Sequence, residues 1–317
     1  MKVPEILEKA NKTLFSFELL PPLKGDSIQT IYDTIDPLID FDPAYINVTY
    51  HREEVMYKSR GDGLLEKKIV RKRPGTVGIA AGIKYKYKVE VVPHIICGGF
   101  NKQETENALI DLHFLGIHNI LALRGDTKKD ERVFVKEHDG HGYALELVRQ
   151  VMEMNKGHYL DEELENNSPT NFSVGVAGYP EKHLESPNME ADLHYLKKKV
   201  DAGAEYIVTQ MFFDNTRYFL FVRRCREAGI NVPIIPGLKL INSKKQLSAL
   251  PQMFNIDLPS SLVMLMKKCI SNDSLKQLGV EWTIAQAKEL IEHGVPALHF
   301  FTMGKSDNVR KVCESVF

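Results

Sequence analysis

The chain has 317 residues, 43% hydrophobic and 26% charged, with a formal net charge of -1. This is globular composition with length for a full core, and the balanced charge excludes a general electrostatic draw toward nucleic acid or anionic lipid. No apolar run is long enough to span a bilayer, and the four scattered cysteines, Cys97, Cys225, Cys269 and Cys313, contain no Cys-x-x-Cys pair to argue for a disulfide scaffold or a zinc site.

The first twelve residues are charged and helix-like, without the apolar stretch of a secretory signal. A cytoplasmic location is the expectation. Residues 14–20 read as a first buried strand, stopped by Pro21-Pro22, which cannot continue a central ladder. Glu18 is the anomaly, because a carboxylate in such a strand needs a partner or a job. A helix over 27–39 and a strand over 44–49 follow. In the segment 51–88, residues 66–73 look helical and basic, and Pro74-Gly75 interrupts before an apolar stretch over 76–83. Lys84 to Lys88 alternates basic and aromatic residues and reads as a solvated loop entering a strand. That third strand, 89–96, carries His94 near its end.

A helix over 102–115 ends at Gly116, and the fourth strand, 119–123, runs straight into Arg124-Gly125-Asp126. A polar loop then leads to a helix over 143–155, and the acidic stretch 157–171 reads as an exposed insertion. The fifth strand, 173–177, enters Gly178-Tyr179-Pro180-Glu181-Lys182-His183. Ser186 can cap the next helix, Pro187 suits its first turn, and Met189, Leu193, Leu196 and Val200 form one apolar stripe before Gly203. The sixth strand, 206–209, leads into Gln210, and a helix over 216–228 ends at Gly229. The seventh strand spans 233–236, helical pattern runs from Ser243 to about Glu292, and an eighth strand, 297–301, precedes a closing helix.

Eight strands, each followed by helical pattern, predict a parallel sheet closed as a (β/α)8 TIM barrel, with 1–317 as one domain. Chemistry in such a barrel sits at the C-terminal strand ends. Glu18, Thr49, His94, Arg124 with Asp126, Tyr179 with His183, Gln210 and the polar residues after Phe301 are therefore the candidates. Each also has a purely local reading. Glu18 can pair with a buried Lys or Arg, Thr49 can bond backbone, His94 can be a satisfied core histidine, and Arg124 and Asp126 can pair around a glycine turn. Tyr179 and His183 can belong to a proline-shaped turn, and Gln210 can bond across the mouth. His138-Asp139-Gly140-His141 lacks a nearby third ligand, so no metal is expected. No Gly-x-Gly-x-x-Gly or Walker loop follows a strand.

The motifs Ser16-Phe17-Glu18-Leu19-Leu20-Pro21-Pro22, Val48-Thr49-Tyr50, Pro93-His94, Ala122-Leu123-Arg124-Gly125-Asp126, Ala177-Gly178-Tyr179-Pro180-Glu181, Lys199-Val200-Asp201-Ala202-Gly203-Ala204 and Thr209-Gln210-Met211-Phe212-Phe213-Asp214 occur together and in order. The sequence thereby resembles the 5,10-methylenetetrahydrofolate reductase family in its bacterial short form, across nearly the whole chain. The resemblance implies a (β/α)8 flavoprotein in which NADH, or NADPH, reduces FAD, and the flavin then reduces methylenetetrahydrofolate to 5-methyltetrahydrofolate by ping-pong hydride transfer, in one-carbon metabolism feeding methionine synthesis. It implies Glu18 as general acid and Asp126 as the aspartate near flavin and folate. It places Thr49, His94, Arg124, Gly125, Asp126, Tyr143, Ala144, Tyr179, His183, Asp192 and Lys199 on flavin-contact positions, with Gln210, Gln246 and Lys305 joining Asp126 toward folate.

Two departures stand out. Lys305 replaces an arginine of the better-known bacterial enzymes, and Leu250 replaces a phenylalanine that packs on ligands, which moves that stacking elsewhere, with Phe254 a candidate. The resemblance further implies a homo-oligomer and no C-terminal regulatory domain. The competing readings are another barrel enzyme working without flavin, and a folate-binding barrel that has lost catalysis.

Overall fold

The computed structural model describes residues 1–127, 131 and 133–317; residues 128–130 and 132, in the polar loop after the fourth predicted strand, lie outside the described residues. The chain runs α1 (Val3–Lys9), β1 (Leu14–Leu19), α2 (Gln29–Ile39), β2 (Tyr45–Val48), β3 (Glu54–Ser59), β4 (Leu65–Val70), α3 (Thr76–Tyr87), β5 (Glu90–Ile96), α4 (Lys102–Phe114) and β6 (Asn119–Leu123). It continues with α5 (Ala144–Met154), β7 (Ser173–Gly178), α6 (Met189–Asp201), β8 (Tyr206–Met211), α7 (Asn215–Glu227) and β9 (Ile234–Leu238). It closes with α8 (Gln246–Phe254), α9 (Ser260–Lys268), α10 (Asn272–Glu292), β10 (Ala297–Phe301) and α11 (Asp307–Val316). Strands β1, β2, β5, β6, β7, β8, β9 and β10 close in that order into a parallel barrel, β10 returning to β1. The architecture is the expected (β/α)8 barrel, in which closure removes the sheet edges.

Three apolar clusters hold it together. The largest fills the layer between barrel and helices, where Phe15, Phe17, Ile46, Val174, Ile207 and Phe300 meet helix residues such as Ile35, Leu109 and Val148. A second fills the barrel interior with Tyr45, Val92, Leu121, Tyr206, Val208, Ile235 and Ala297, joined by Val3 and Leu7 of α1. Gly175 creates the room for one of these side chains, since a Cβ there would stand 2.3 Å from the Tyr206 ring. Asn119 ties down α1, accepting from the Val3 N–H at 2.8 Å and donating to the Met1 carbonyl at 2.9 Å. The short first helix therefore closes the interior at the N-terminal strand ends, leaving the opposite mouth for chemistry. A satellite cluster under α8–α10 contains Met211, Phe213, Ile241, Leu250, Leu262 and Leu275.

Three local expectations are corrected. Residues 66–73 do not form a helix: Leu65–Val70 pairs antiparallel with Glu54–Ser59 in a two-stranded ribbon. Alternation decides the matter, since Val55, Tyr57, Leu65 and Ile69 share one face of that pairing. Lys84 to Tyr87 is the last turn of α3 rather than a loop, and Lys88 ends it in the left-handed conformation. The cap of α6 is Asn188, whose Oδ1 accepts from the Ala191 N–H at 2.8 Å, while Ser186 donates instead to Asp192. Asn is as good a cap as Ser, and chain direction after Pro187 puts Asn188 at the helix entry.

Candidate active site

Side chains alternate along a strand, so β1 turns Ser16 and Glu18 into the barrel while Phe15 and Phe17 join the outer layer. Glu18 pairs in register with Asn47 on one side and Phe301 on the other. Its side chain is 12% exposed, and its Oε2 lies 4.0 Å from His94 Nε2. The same imidazole nitrogen meets Asn47 Nδ2 at 3.1 Å. Burial pushes the Glu18 carboxyl up from 4.5 to about 8, with the charge of Lys239 pulling it back. Burial likewise pushes His94 and His299 down to about 3, so both imidazoles are neutral under ordinary conditions. One layer deeper, His299 Nδ1 sits 3.0 Å from the Ser16 hydroxyl.

A second group of residues stands on the loops after β6 and β7. Arg124 holds Glu185 through both terminal nitrogens and lies over the Phe134 ring, its centre 5.0 Å away. That pairing raises the Arg124 pKa and holds the Glu185 carboxyl low. The local alternative of an Arg124–Asp126 pair gives way to a longer-range partner, Glu185. Gly125 between them is left-handed at φ +86°, where a Cβ would meet Ile96 Cδ1 at 3.1 Å. Tyr179 and His183 pack edge to face at 4.8 Å. Asp192 accepts from the His183 N–H and the Ser186 hydroxyl. Lys199 reaches under this loop to donate to the Ala177 carbonyl at 2.9 Å, and burial pushes it down to about 8.

The remaining candidates behave differently from one another. Thr49 donates to the Leu19 carbonyl at 3.0 Å and meets His51 Nε2 at 3.2 Å. Asp126 is exposed and works at a distance, its charge acting on both His51 and Tyr179. Gln210 owes its aim to an extra residue in β8: Val208 opposes Ile235 and Met211 opposes Gly237, so three steps on β8 face two on β9. Its Oε1 accepts from the Met211 N–H, and it shares a shallow depression with Tyr179, Glu181 and Phe254. Gln246 folds back to accept from the Asn242 and Ser243 N–H groups. Lys305 is exposed in the turn after β10. Leu250 is 6% exposed and packs in the satellite core, whereas Phe254 is the aromatic that reaches the Gln210 depression.

Glu18 on β1, Asp126 after β6 and Gln210 on β8 stand at the C-terminal ends of barrel strands, and among the described residues no hydrogen bond or ion pair joins any two of them. Glu18 meets His94 at 4.0 Å, Asp126 acts on His51 and Tyr179 through its charge, and Tyr179 lines the same shallow depression as Gln210. Two residues escaped the sequence reading. Lys239, at the end of β9, is 6% exposed, and Glu181, whose Oε2 accepts from the Asp257 N–H, is pushed by burial up to about 7. A lysine directly after the apolar run Ile234–Leu238 was the available signal for the first.

A closed parallel barrel with a proton-holding carboxyl, two neutral imidazoles and two ammonium groups with lowered pKa values toward its C-terminal end carries a candidate active site of the (β/α)8-barrel class. A family model described as methylenetetrahydrofolate reductase matches residues 2–316. The chain belongs to that family. It is 31% identical over 307 residues to the 5,10-methylenetetrahydrofolate reductase of Salmonella typhimurium, covering 95% of this chain and 90% of that protein. It is 30% identical over 306 residues to the Escherichia coli protein of the same description, again at 95% and 90% coverage. It is also 31% identical over 312 residues to methylenetetrahydrofolate reductase (NADH) 1 of Arabidopsis thaliana, covering 95% of this chain but 48% of that protein. The chain spans about half the length of the plant and fission yeast relatives it matches. Among solved structures, a Clostridium thermocellum protein described as binding two copies of 5-methyl-5,6,7,8-tetrahydrofolic acid superposes with a TM-score of 0.55 at 14% identity, covering 98% of this chain and 96% of that one, a likeness of fold.

Proposed function

We propose that residues 1–317 form the catalytic barrel of a reductase that converts 5,10-methylenetetrahydrofolate to 5-methyltetrahydrofolate with FAD and NADH, or NADPH, in a ping-pong cycle. The observation that carries this reading is Glu18, a carboxyl at the catalytic mouth that keeps its proton up to about pH 8. A methylene bridge between two nitrogens accepts hydride only after one carbon–nitrogen bond breaks. Glu18 gives its proton to the departing nitrogen, the bonding pair goes to that nitrogen, and the carbon stays on the other nitrogen as an iminium. Asp126, with its negative charge over the same mouth, favours that cation.

FAD, when bound, supplies the hydride relay from nicotinamide to the one-carbon unit. The donor set fits it. Lys199 is a half-buried ammonium on a backbone carbonyl, and Arg124 is a rigid fork on an exposed carboxylate. Two such cations suit an anionic phosphate, and Tyr143 and Ala144 stand at the start of α5 beside them, where Glu146 takes the Gly142 N–H. Thr49, His94, Gly125, Tyr179, His183 and Asp192 would frame the rings and ribityl chain, with Gln210 and Phe254 toward the pterin. Gln246 and Lys305 would join Asp126 toward folate.

The purified protein should be yellow or should bind added FAD. NADH should bleach it anaerobically and methylenetetrahydrofolate should restore the colour. A colourless protein that binds no FAD overturns the reading. Glu18→Gln should still bleach with NADH but lose reoxidation by folate, and equal loss of both half-reactions would remove Glu18 from the folate step. Asp126→Asn should shift the flavin midpoint potential, and an unchanged potential with unchanged folate kinetics would reject its role.

A further inference from the structure

Lys239 stands just beyond β9, on the strand two places round the barrel from the one that carries Glu18. Its Nζ donates to the Phe301 carbonyl at 3.0 Å, and Phe301 is the residue opposite Glu18 in the β1–β10 register. The lysine therefore reaches across the end of β10 toward the carboxyl, and the two groups sense each other's charge. An ammonium has three donors, and buried ones are rare unless paired or employed. The Phe301 carbonyl satisfies one donor. As a purely structural tether, a lysine here would be costly, because an apolar residue of similar volume would avoid desolvating a charge.

We propose that Lys239 is a positioning residue that sets the proton affinity of Glu18 and stabilises the carboxylate left when Glu18 gives up its proton. The proposal rests on the reading of Glu18 as the folate acid. Burial alone drives Glu18 toward permanent neutrality, which would make it too weak an acid to be useful. A cation nearby offsets part of that penalty and does so most once the proton has gone. The other titratable groups in the Glu18 layer and the layer below it contribute little charge near neutrality. His94 from β5 and His299 from β10 are held neutral by burial, and burial keeps the Tyr45 phenol of β2 protonated. Among the described residues, Lys239 is thus the charge that offsets the burial of Glu18.

The test uses Lys239→Met, which keeps the volume and removes the charge, and Lys239→Arg, which keeps the charge. The carboxyl C=O infrared band that disappears in Glu18→Gln reports the Glu18 proton directly, whatever the reaction. Its titration midpoint should move up by at least one pH unit in Lys239→Met and stay near the wild-type value in Lys239→Arg. In rapid-reaction measurements, flavin reoxidation by methylenetetrahydrofolate should slow tenfold or more in Lys239→Met, with its alkaline fall moved to higher pH, while reduction by NADH is unchanged. An unmoved infrared midpoint overturns the proposal, even if the variant is less stable. A moved midpoint with unchanged folate kinetics shows coupling that catalysis does not use, and also overturns it. Absence of folate turnover in the wild type would instead count against the reductase reading, since the infrared result does not depend on it.

Discussion

Glu18→Gln should make the protein more stable, and increasingly so as pH rises. The native carboxyl keeps its proton to about pH 8, whereas an unperturbed glutamate releases it near 4.5. A carboxyl whose pKa is raised by folding costs stability above its unfolded pKa, because the unfolded chain gains ionisation free energy that the native state forgoes. The penalty is absent below pH 4.5, grows by about 1.4 kcal/mol per pH unit, and levels off above about pH 8. At pH 7 it amounts to about 3 kcal/mol, and glutamine, which cannot ionise, escapes it. Lys239 stays mostly charged up to pH 7, since burial pushes it down only to about 8. With an unfolding entropy of about 2 cal/mol/K per residue, 317 residues translate that free energy into roughly 4 °C. Calorimetric melting of both proteins at pH 5 and pH 7 isolates the effect, because any fixed cost of seating the amide cancels. The difference in Tm between variant and wild type should grow by about 3–4 °C between the two pH values. A difference that does not change with pH would show that Glu18 is ionised in the native state, and the proton-donor argument would fail with it.

Two further substitutions probe the frame around the site. Gly125→Ala forces a side chain into a left-handed φ of +86° and against Ile96, and should cost about 1–3 kcal/mol in urea unfolding; a neutral result would mean that this turn relaxes freely. Leu250→Phe places an aromatic ring inside a packed satellite core. It should lower stability by about 1–3 kcal/mol without tightening folate binding, and a clear gain in folate affinity by titration would show that residue 250 reaches the ligand after all.

Much of this molecule is legible in its sequence. The strands Asn119–Leu123 and Ala297–Phe301 fall where apolar runs bounded by turn residues predicted them, and the alternation of eight strands with helices implied the barrel. These are local signals: periodicity and terminating residues act within a few positions of the chain. The ribbon over Glu54–Val70 was misread because six or eight basic and apolar residues satisfy a helical pattern as readily as an alternating one, and only the pairing partner decides.

The sequence by itself determined which residues end the barrel strands, and hence that Glu18, Thr49, His94, Arg124, Tyr179 and Gln210 gather at one mouth. Tertiary structure decided what each of them meets. Arg124 turned to Glu185, Gln246 folded onto its own loop, Leu250 sank into a core, and an extra residue in β8 re-aimed Gln210. Lys239 reached the Phe301 carbonyl, opposite an acid 221 positions earlier in the chain. The physical reason is that strand ends are fixed by local propensity, while the neighbours of a side chain depend on register and closure between segments far apart. The charge that tunes Glu18 comes from β9 because the barrel closes β10 onto β1 and brings the ends of those strands together.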